Sequence, residues 1–186
     1  ALEDQIKDKE SSISKQKAIL HYTKAYDYGV LYMKEKGISE ENLNDREAKK
    51  NLLQKLNSNL DEEDMLATFY FAQAWGGLIN LQRTNVGLMS KLGTIKLLMD
   101  WVCGKNSEFE FGSCHLFYAV YEAGRPAMLG GDLQKGKDIF EKYIENSPLN
   151  LLARVSFIQY YIIPTMDEVL YAKHAQVLKK ELALWE

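Results

Sequence analysis

The chain is poor in the residues that punctuate β-structure. It has 3 prolines and 12 glycines in 186 residues, and no turn clusters recur at the close spacing of a sandwich or barrel. An all-β fold is excluded on that ground. Its 2 cysteines are too few for a disulfide scaffold, and a chain of this length needs none to build a core. Only 3 histidines occur, His21, His115 and His174, and no two stand four residues apart on one helical face, so no metal-binding pattern is written. Charge of one sign is also missing. Lys and Arg number 23 against 26 Asp and Glu, a net charge of −3, which provides no concentrated cationic face for nucleic acid. The opening ALEDQIKDKESSISKQK is charged throughout and lacks the apolar stretch of a signal peptide. One uncharged run, Met65 to Gln82, approaches bilayer-spanning length, but Thr68, Gln73, Asn80 and Gln82 spaced around it make it a core helix instead.

Hydrophobic residues are plentiful, at 46%, with 11% aromatic, enough for one folded domain over residues 1–186. They recur at spacings of three and four, the helical period. Ile19, Tyr22, Tyr26, Gly29 and Met33 form one stripe, predicting a helix over about 14–36 that ends at Gly37. Ala48, Leu52, Leu56 and Leu60 form a second, over about 44–60, capped by Asn44 or Asp45. Further on, three helix pairs are expected at about 62–103, 112–146 and 149–184. Asp61, Asn85, Ser113 and Asp132 stand as N-caps, Pro148 at a first helical position, and Thr165 with Glu168 as a capping box before the last helix. Short connections make successive helices antiparallel neighbours. The expected fold is therefore all-α, stacked antiparallel hairpins in a tetratricopeptide-like superhelix whose first helices line the concave side.

The stretch GDLQKGKDIFEKYIENSP, Gly131 to Pro148, resembles the second helix of a tetratricopeptide repeat, with Gly131, Asp132, Phe140 and Pro148 in register. Tyr143 stands where that repeat has a small residue, which predicts looser contact with the preceding helix. A longer set of segments (FAQAWGGLINLQ, LMDWVC, FGSCHLFYAVYEAGRPAMLGGDLQKGKDIFEKYIENSP and SFIQYYIIPTMDEVLYAKHAQVL) resembles the T component of tripartite ATP-independent periplasmic (TRAP) transporters over roughly residues 20 to 182. The RPAMLGGD block, with Gly112 and His115 upstream, is its most specific part. That resemblance implies a periplasmic, membrane-tethered, non-enzymatic protein handling a small organic or hydrophobic solute beside a solute-binding partner. Membrane contact would run only through an N-terminal lipid anchor, whose cysteine is not at the start of this chain. A homo-oligomer is compatible with it.

No catalytic constellation, phosphate loop or cofactor motif accompanies these segments. The carboxylates of Asp61, Glu62, Glu63 and Asp64 suit the positive end of a helix dipole. Cys103 and Cys114 bracket one short break, as a disulfide in an oxidising compartment or as plain apolar packing in a reducing one. Aromatic residues concentrate on the first helix of each pair. If those helices enclose a cavity, its candidate walls are Tyr70, Trp75, Tyr118, Tyr121 and Tyr161, with Arg125 as the cation that would hold a carboxylate. The competing assignment for these rings is core packing, and for the fold as a whole an open peptide-binding scaffold with charged clamps.

Overall fold

The structure is a computed structural model describing residues 2–44 and 49–184. The described residues are helical, with no strand among them, so the all-α expectation holds. They fall into two compact units, residues 1–106 and 107–186.

The first unit holds α1 (Leu2–Glu35), α2 (Glu40–Asn44), α3 (Lys49–Asn59), α4 (Met65–Leu81), α5 (Val86–Met89) and α6 (Leu92–Lys105). The stripe expected on α1 faces α4. A Cβ on Gly29 would lie 2.0 Å from the Phe71 ring, and one on Gly77 would lie 2.7 Å from the Tyr22 ring. Tyr26 packs on both Phe71 and Trp75, at 5.6 and 5.1 Å between ring centroids. Residue numbers thus rise along α1 as they fall along α4, and the two helices run antiparallel. The turn after α1 stops where expected: Gly37 takes φ +76°, and the Ile38 amide donates to the Met33 carbonyl at 2.8 Å, a left-handed glycine cap. Met33, Ile38, Leu43, Leu52, Leu56, Leu98 and Met99 are fully enclosed and form the centre of this unit. The predicted start of the second helix, at Asp45 to Ala48, lies outside the described residues.

The capping expectations divide. The Asp61 side chain accepts from the Glu63 amide at 2.9 Å, while the Asp61 amide donates to Asp64 at 2.9 Å, but this box opens a 3₁₀ turn, Glu62–Asp64, ahead of α4. Asp64 stands at the N-terminus of α4, the end of the helix dipole that suits a carboxylate, and it is enclosed there. It is 1% exposed, ion-paired to Lys36 at 2.6 Å and hydrogen-bonded by the Tyr32 hydroxyl. Asn85 does cap, accepting from the Leu88 amide at 3.1 Å, but its helix ends at Met89 and α6 begins afresh at Leu92.

The second unit holds α7 (Phe109–Gly124), α8 (Leu133–Asn146), α9 (Leu151–Phe157), a π-helical turn (Ile158–Ile162), α10 (Ile163–Thr165) and α11 (Glu168–Leu182). α7 and α8 form an antiparallel hairpin at very short range. A Cβ on Gly136 would lie 2.7 Å from the Ala123 amide nitrogen, and one on Gly131 would lie 2.0 Å from the Arg125 carbonyl oxygen. Asp132 caps α8 as expected, accepting from the Lys135 amide at 2.9 Å. Ala119, Phe140, Tyr143, Ile144, Ala153, Phe157 and Ile162 form the core.

Three local expectations are corrected in this unit. Asn150, not Pro148, sets the start of α9, accepting from the Ala153 amide at 3.3 Å. Asp167, not Thr165, caps α11, accepting from the Leu170 amide at 2.9 Å. The Thr165 hydroxyl instead donates back to the Tyr161 and Ile162 carbonyls at 2.9 and 3.2 Å, so it is not available to cap the next helix. Tyr143 does not loosen the α7–α8 hairpin. It is 4% exposed, seated over Gly112, where a Cβ would lie 2.9 Å from its ring.

Two outcomes follow for stability. Gly136→Ala, which drives a methyl into the backbone of α7, is destabilising by about 1–3 kcal/mol, whereas Gly76→Ala, with nothing within 4 Å of its new methyl, gains up to about 1 kcal/mol of helix propensity. Urea unfolding of both variants reads the difference. Burial pushes the Asp64 carboxyl up, but the Lys36 ammonium, the Tyr32 hydroxyl and the Asp61 amide outweigh it and hold the group below the usual aspartate value. A carboxylate depressed by folding stabilises above its unfolded pKa and stops doing so as pH falls through the lower folded value. The wild-type protein therefore loses stability on acidification below about pH 4, and Asp64→Ala, destabilised at neutral pH by about 1–3 kcal/mol, loses less over that range. Thermal melts at stepped pH check it.

Candidate functional site

α7 begins in unusual backbone. Glu110, Phe111 and Gly112 all have positive φ, at 48°, 59° and 76°, one after another. Two of the three are L residues with side chains, for which this region is costly. The surroundings hold the turn in place. The Tyr143 hydroxyl donates to the Phe111 carbonyl at 2.5 Å and accepts from the Asn150 amide group at 2.8 Å, and the Ser113 hydroxyl donates to the Glu110 carbonyl at 2.7 Å. Ser113 thus closes this turn instead of capping the helix. Phe111 is left 88% exposed. His115 lies just past the turn, its Nε2 2.9 Å from a Glu108 carboxylate oxygen and its ring 5.6 Å from that of Tyr143. It holds Glu108 below the usual glutamate range by that hydrogen bond.

From there α7 carries a run of rings. Phe117 meets Tyr118 edge-on at 5.4 Å and stacks on Tyr121 at 5.6 Å. The Arg125 guanidinium lies over the Tyr121 ring at 3.8 Å. Each nitrogen of that guanidinium donates: Nε to the Tyr121 carbonyl at 2.9 Å, one terminal nitrogen to the Leu129 carbonyl at 3.0 Å, and the other to Glu122 at 2.9 Å. Glu122, 7% exposed, accepts from Lys135 on its second oxygen, also at 2.9 Å. The contact raises the Lys135 pKa through the Glu122 hydrogen bond and charge. A buried carboxylate with two cations therefore ties α7, the following turn and α8 together at the RPAMLGGD block.

The other predicted residues lie elsewhere. Tyr161, half-buried on the π turn, stacks on Phe157 at 5.3 Å and has the Lys137 ammonium over its ring at 5.8 Å. Tyr70 and Trp75 belong to α4 in the first unit and point to different surroundings: Tyr70 is 56% exposed, whereas Trp75 is 2% exposed and stacked on Phe71 at 5.6 Å. The structure thus joins Tyr118 and Tyr121 through Phe117, and Tyr121 directly to Arg125. It does not place Tyr70 and Trp75 on one face. A cavity of about 230 Å³ lined by Ile162, Ile163, Met166, Asp167, Glu168 and Tyr171, and one of about 290 Å³ lined by Tyr26, Asp27, Val30, Leu31 and Glu40, contain none of these six residues. Both cysteines are disulfide-bonded and neither is free. Among the described residues, no group of three or more His, Cys, Asp or Glu could hold a metal ion, and no helix is long and apolar enough to cross a membrane.

Sequence reasoning missed Glu122 as the organiser of this region. The signal was present in its spacing of three from Arg125, which puts the two on one face of a helix. Glu122→Leu leaves Arg125 and Lys135 without their carboxylate and costs about 3 kcal/mol, while Lys135→Ala, at an exposed ammonium, costs under about 1 kcal/mol. Denaturant midpoints of the two variants separate the cases.

No curated protein sequence matches this chain. The sequence model of the TRAP transporter T-component family matches residues 1–184, nearly the whole chain and all of the helices described above. The chain belongs to the TRAP transporter T-component family.

Proposed function

We propose that this protein works in the periplasm beside the solute-binding protein of a TRAP transporter, and that it binds or relays a small organic or hydrophobic solute. Membership of the family gives the accessory role in such a transporter and the association with the periplasm. The finer reading rests chiefly on the run of rings along α7, Phe117, Tyr118 and Tyr121, ending in the Arg125 guanidinium. Rings with phenol groups offer apolar contact together with orienting hydrogen bonds, the combination a small-molecule site needs. Tyr118 and Tyr161 are only half-buried. Because Arg125 already serves three acceptors, its part is to hold the RPAMLGGD turn and the Tyr121 ring in position, and solute contact falls to the tyrosines. Two disulfide-bonded cysteines suit an oxidising compartment. In this reading the protein is a tetratricopeptide-like lipoprotein, tethered to the membrane only through a lipid at its amino terminus, and it performs no chemistry on the solute.

Native mass spectrometry of protein purified without detergent, alone and mixed with the solute-binding protein of the same transporter, tests both parts. A small molecule bound to the wild-type chain and a complex with the partner are expected. Tyr118→Ala and Tyr161→Ala should each lower the ligand-bound fraction by about tenfold in affinity, equivalent to about 1.4 kcal/mol, with helical circular dichroism unchanged. A chain that carries no small molecule and forms no complex with the partner overturns the proposal.

A further inference from the structure

The arginines of this chain are not alike. Arg125 is consumed by Glu122 and two carbonyls, and Arg83 is held by the Asn80 side chain at 3.0 Å through its Nε. Arg154, on α9, has neither arrangement. Among the described residues no carboxylate pairs with it, and its Nε is enclosed by protein without a hydrogen-bond partner there. Its one polar side-chain contact among the described residues is a long one, from a terminal nitrogen to Nδ1 of His174 at 3.4 Å. The residue as a whole is half-buried and retains part of its surface in solvent.

His174 makes the arrangement more unusual. It is 4% exposed on α11 and stands edge-on to the Phe157 ring at 5.2 Å. Facing a guanidinium, its Nδ1 acts as an acceptor, which requires the neutral ring. Burial pushes the imidazole below the usual histidine value, and the positive charges of Arg154 and Lys173 push it the same way. The charged groups acting on it are Arg154 from α9 and Lys173 from its own helix, and among the described residues no carboxylate hydrogen-bonds or ion-pairs with His174 or Arg154. Two elements thus bring together a planar fork with an unused enclosed donor and a second, titratable donor, with no negative charge between them. An enclosed guanidinium N–H without an acceptor is unfavourable, and an anion beside the guanidinium offsets that cost.

We propose that Arg154 and His174 form a binding site for a small oxyanion, a carboxylate or a phosphate group, supplied by a ligand. The guanidinium fork matches two oxygens of either group. His174 supplies the second donor on protonation, which the arriving negative charge favours by reversing the effect of Arg154. Binding and proton uptake are then linked, and the anion is held more tightly at mildly acid pH. The adjoining π turn, Ile158–Ile162, is a feature that recurs at ligand sites. This site does not depend on the transport role or on the rings of α7.

The test follows the His174 imidazole by long-range proton–nitrogen NMR in the full-length chain. The pH is stepped from about 5 to 8 in sodium chloride, sodium acetate or sodium phosphate at matched ionic strength. In chloride, His174 is expected to titrate below the ordinary histidine value. Acetate or phosphate should raise its apparent pKa saturably, by about one unit, corresponding to about tenfold tighter binding by the protonated form. A response to acetate alone assigns a carboxylate ligand, a response to phosphate alone a phosphorylated one, and a response to both supports the shared oxyanion chemistry. Arg154→Gln should abolish the shift. Arg154→Lys retains the charge without the fork and serves if the Gln variant does not fold; it should weaken anion binding by about tenfold. No saturable shift with either probe, or the same shift in the Arg154 variant, overturns the proposal. Neither result bears on whether a solute or partner protein appears in native mass spectrometry, so the two readings fail separately.

Discussion

Within each unit, helices are fixed against one another by aromatic rings seated on glycine. Phe71 lies where the Cβ of Gly29 would be, Tyr22 where that of Gly77 would be, Tyr143 against Gly112 and Tyr160 against Gly124. A ring on a glycine brings two helices closer than two ordinary side chains allow, and it fixes register along the axis, because moving by a residue would drive the ring into a Cβ. Interiors packed at crystal-like density tolerate little such displacement. The α7–α8 hairpin carries the same principle further, with Gly136 and Gly131 against backbone rather than side chain. The positions of Tyr121, Arg125 and Tyr143 all follow from that contact.

Buried carboxylates supply the second constraint. Asp64 in the first unit and Glu122 in the second are each nearly inaccessible, and each is matched by more than one donor. Both sit at helix ends, where backbone groups lack intrahelical partners. Asp64 completes the box that starts α4, and Glu122 holds the turn that separates α7 from α8. Removing water from such a charge is costly, so the arrangement tolerates only geometries in which every donor is in place. A turn organised this way keeps its shape, which suits a segment that shows Met128 at 90% exposed and Leu129 at 51% while the backbone beneath is closed by hydrogen bonds. Arg154 shows the opposite condition, a half-buried cation beside a buried imidazole and, among the described residues, without a carboxylate.

Much of the local structure was legible because it depends on short-range spacing. The stripe from Ile19 to Met33, the glycine cap at Gly37 and the cap at Asp132 all appear at their expected residues. Misassigned caps share one cause. Ser113, Pro148 and Thr165 each have a residue type suited to a helix start, but each competes with a neighbour or with a turn held from elsewhere in the fold. The three positive φ angles before Ser113 depend on Tyr143 reaching across from α8, a contact between residues far apart in sequence. The candidate site was legible only in part: ring spacing placed Tyr118 and Tyr121 near one another, but exposure could not be read from type, as Tyr70 and Trp75 show.

By itself the sequence determined helical class, the approximate ends of most helices and the family pattern around RPAMLGGD, because these depend on periodicity and on residues close along the chain. The tertiary structure decided which rings are core, that Arg125 is spent on Glu122 and that Arg154 meets an imidazole instead of a carboxylate among the described residues. Those outcomes depend on what a side chain meets across a helix interface, and on the cost of removing charge from water there, neither of which spacing along one helix can specify.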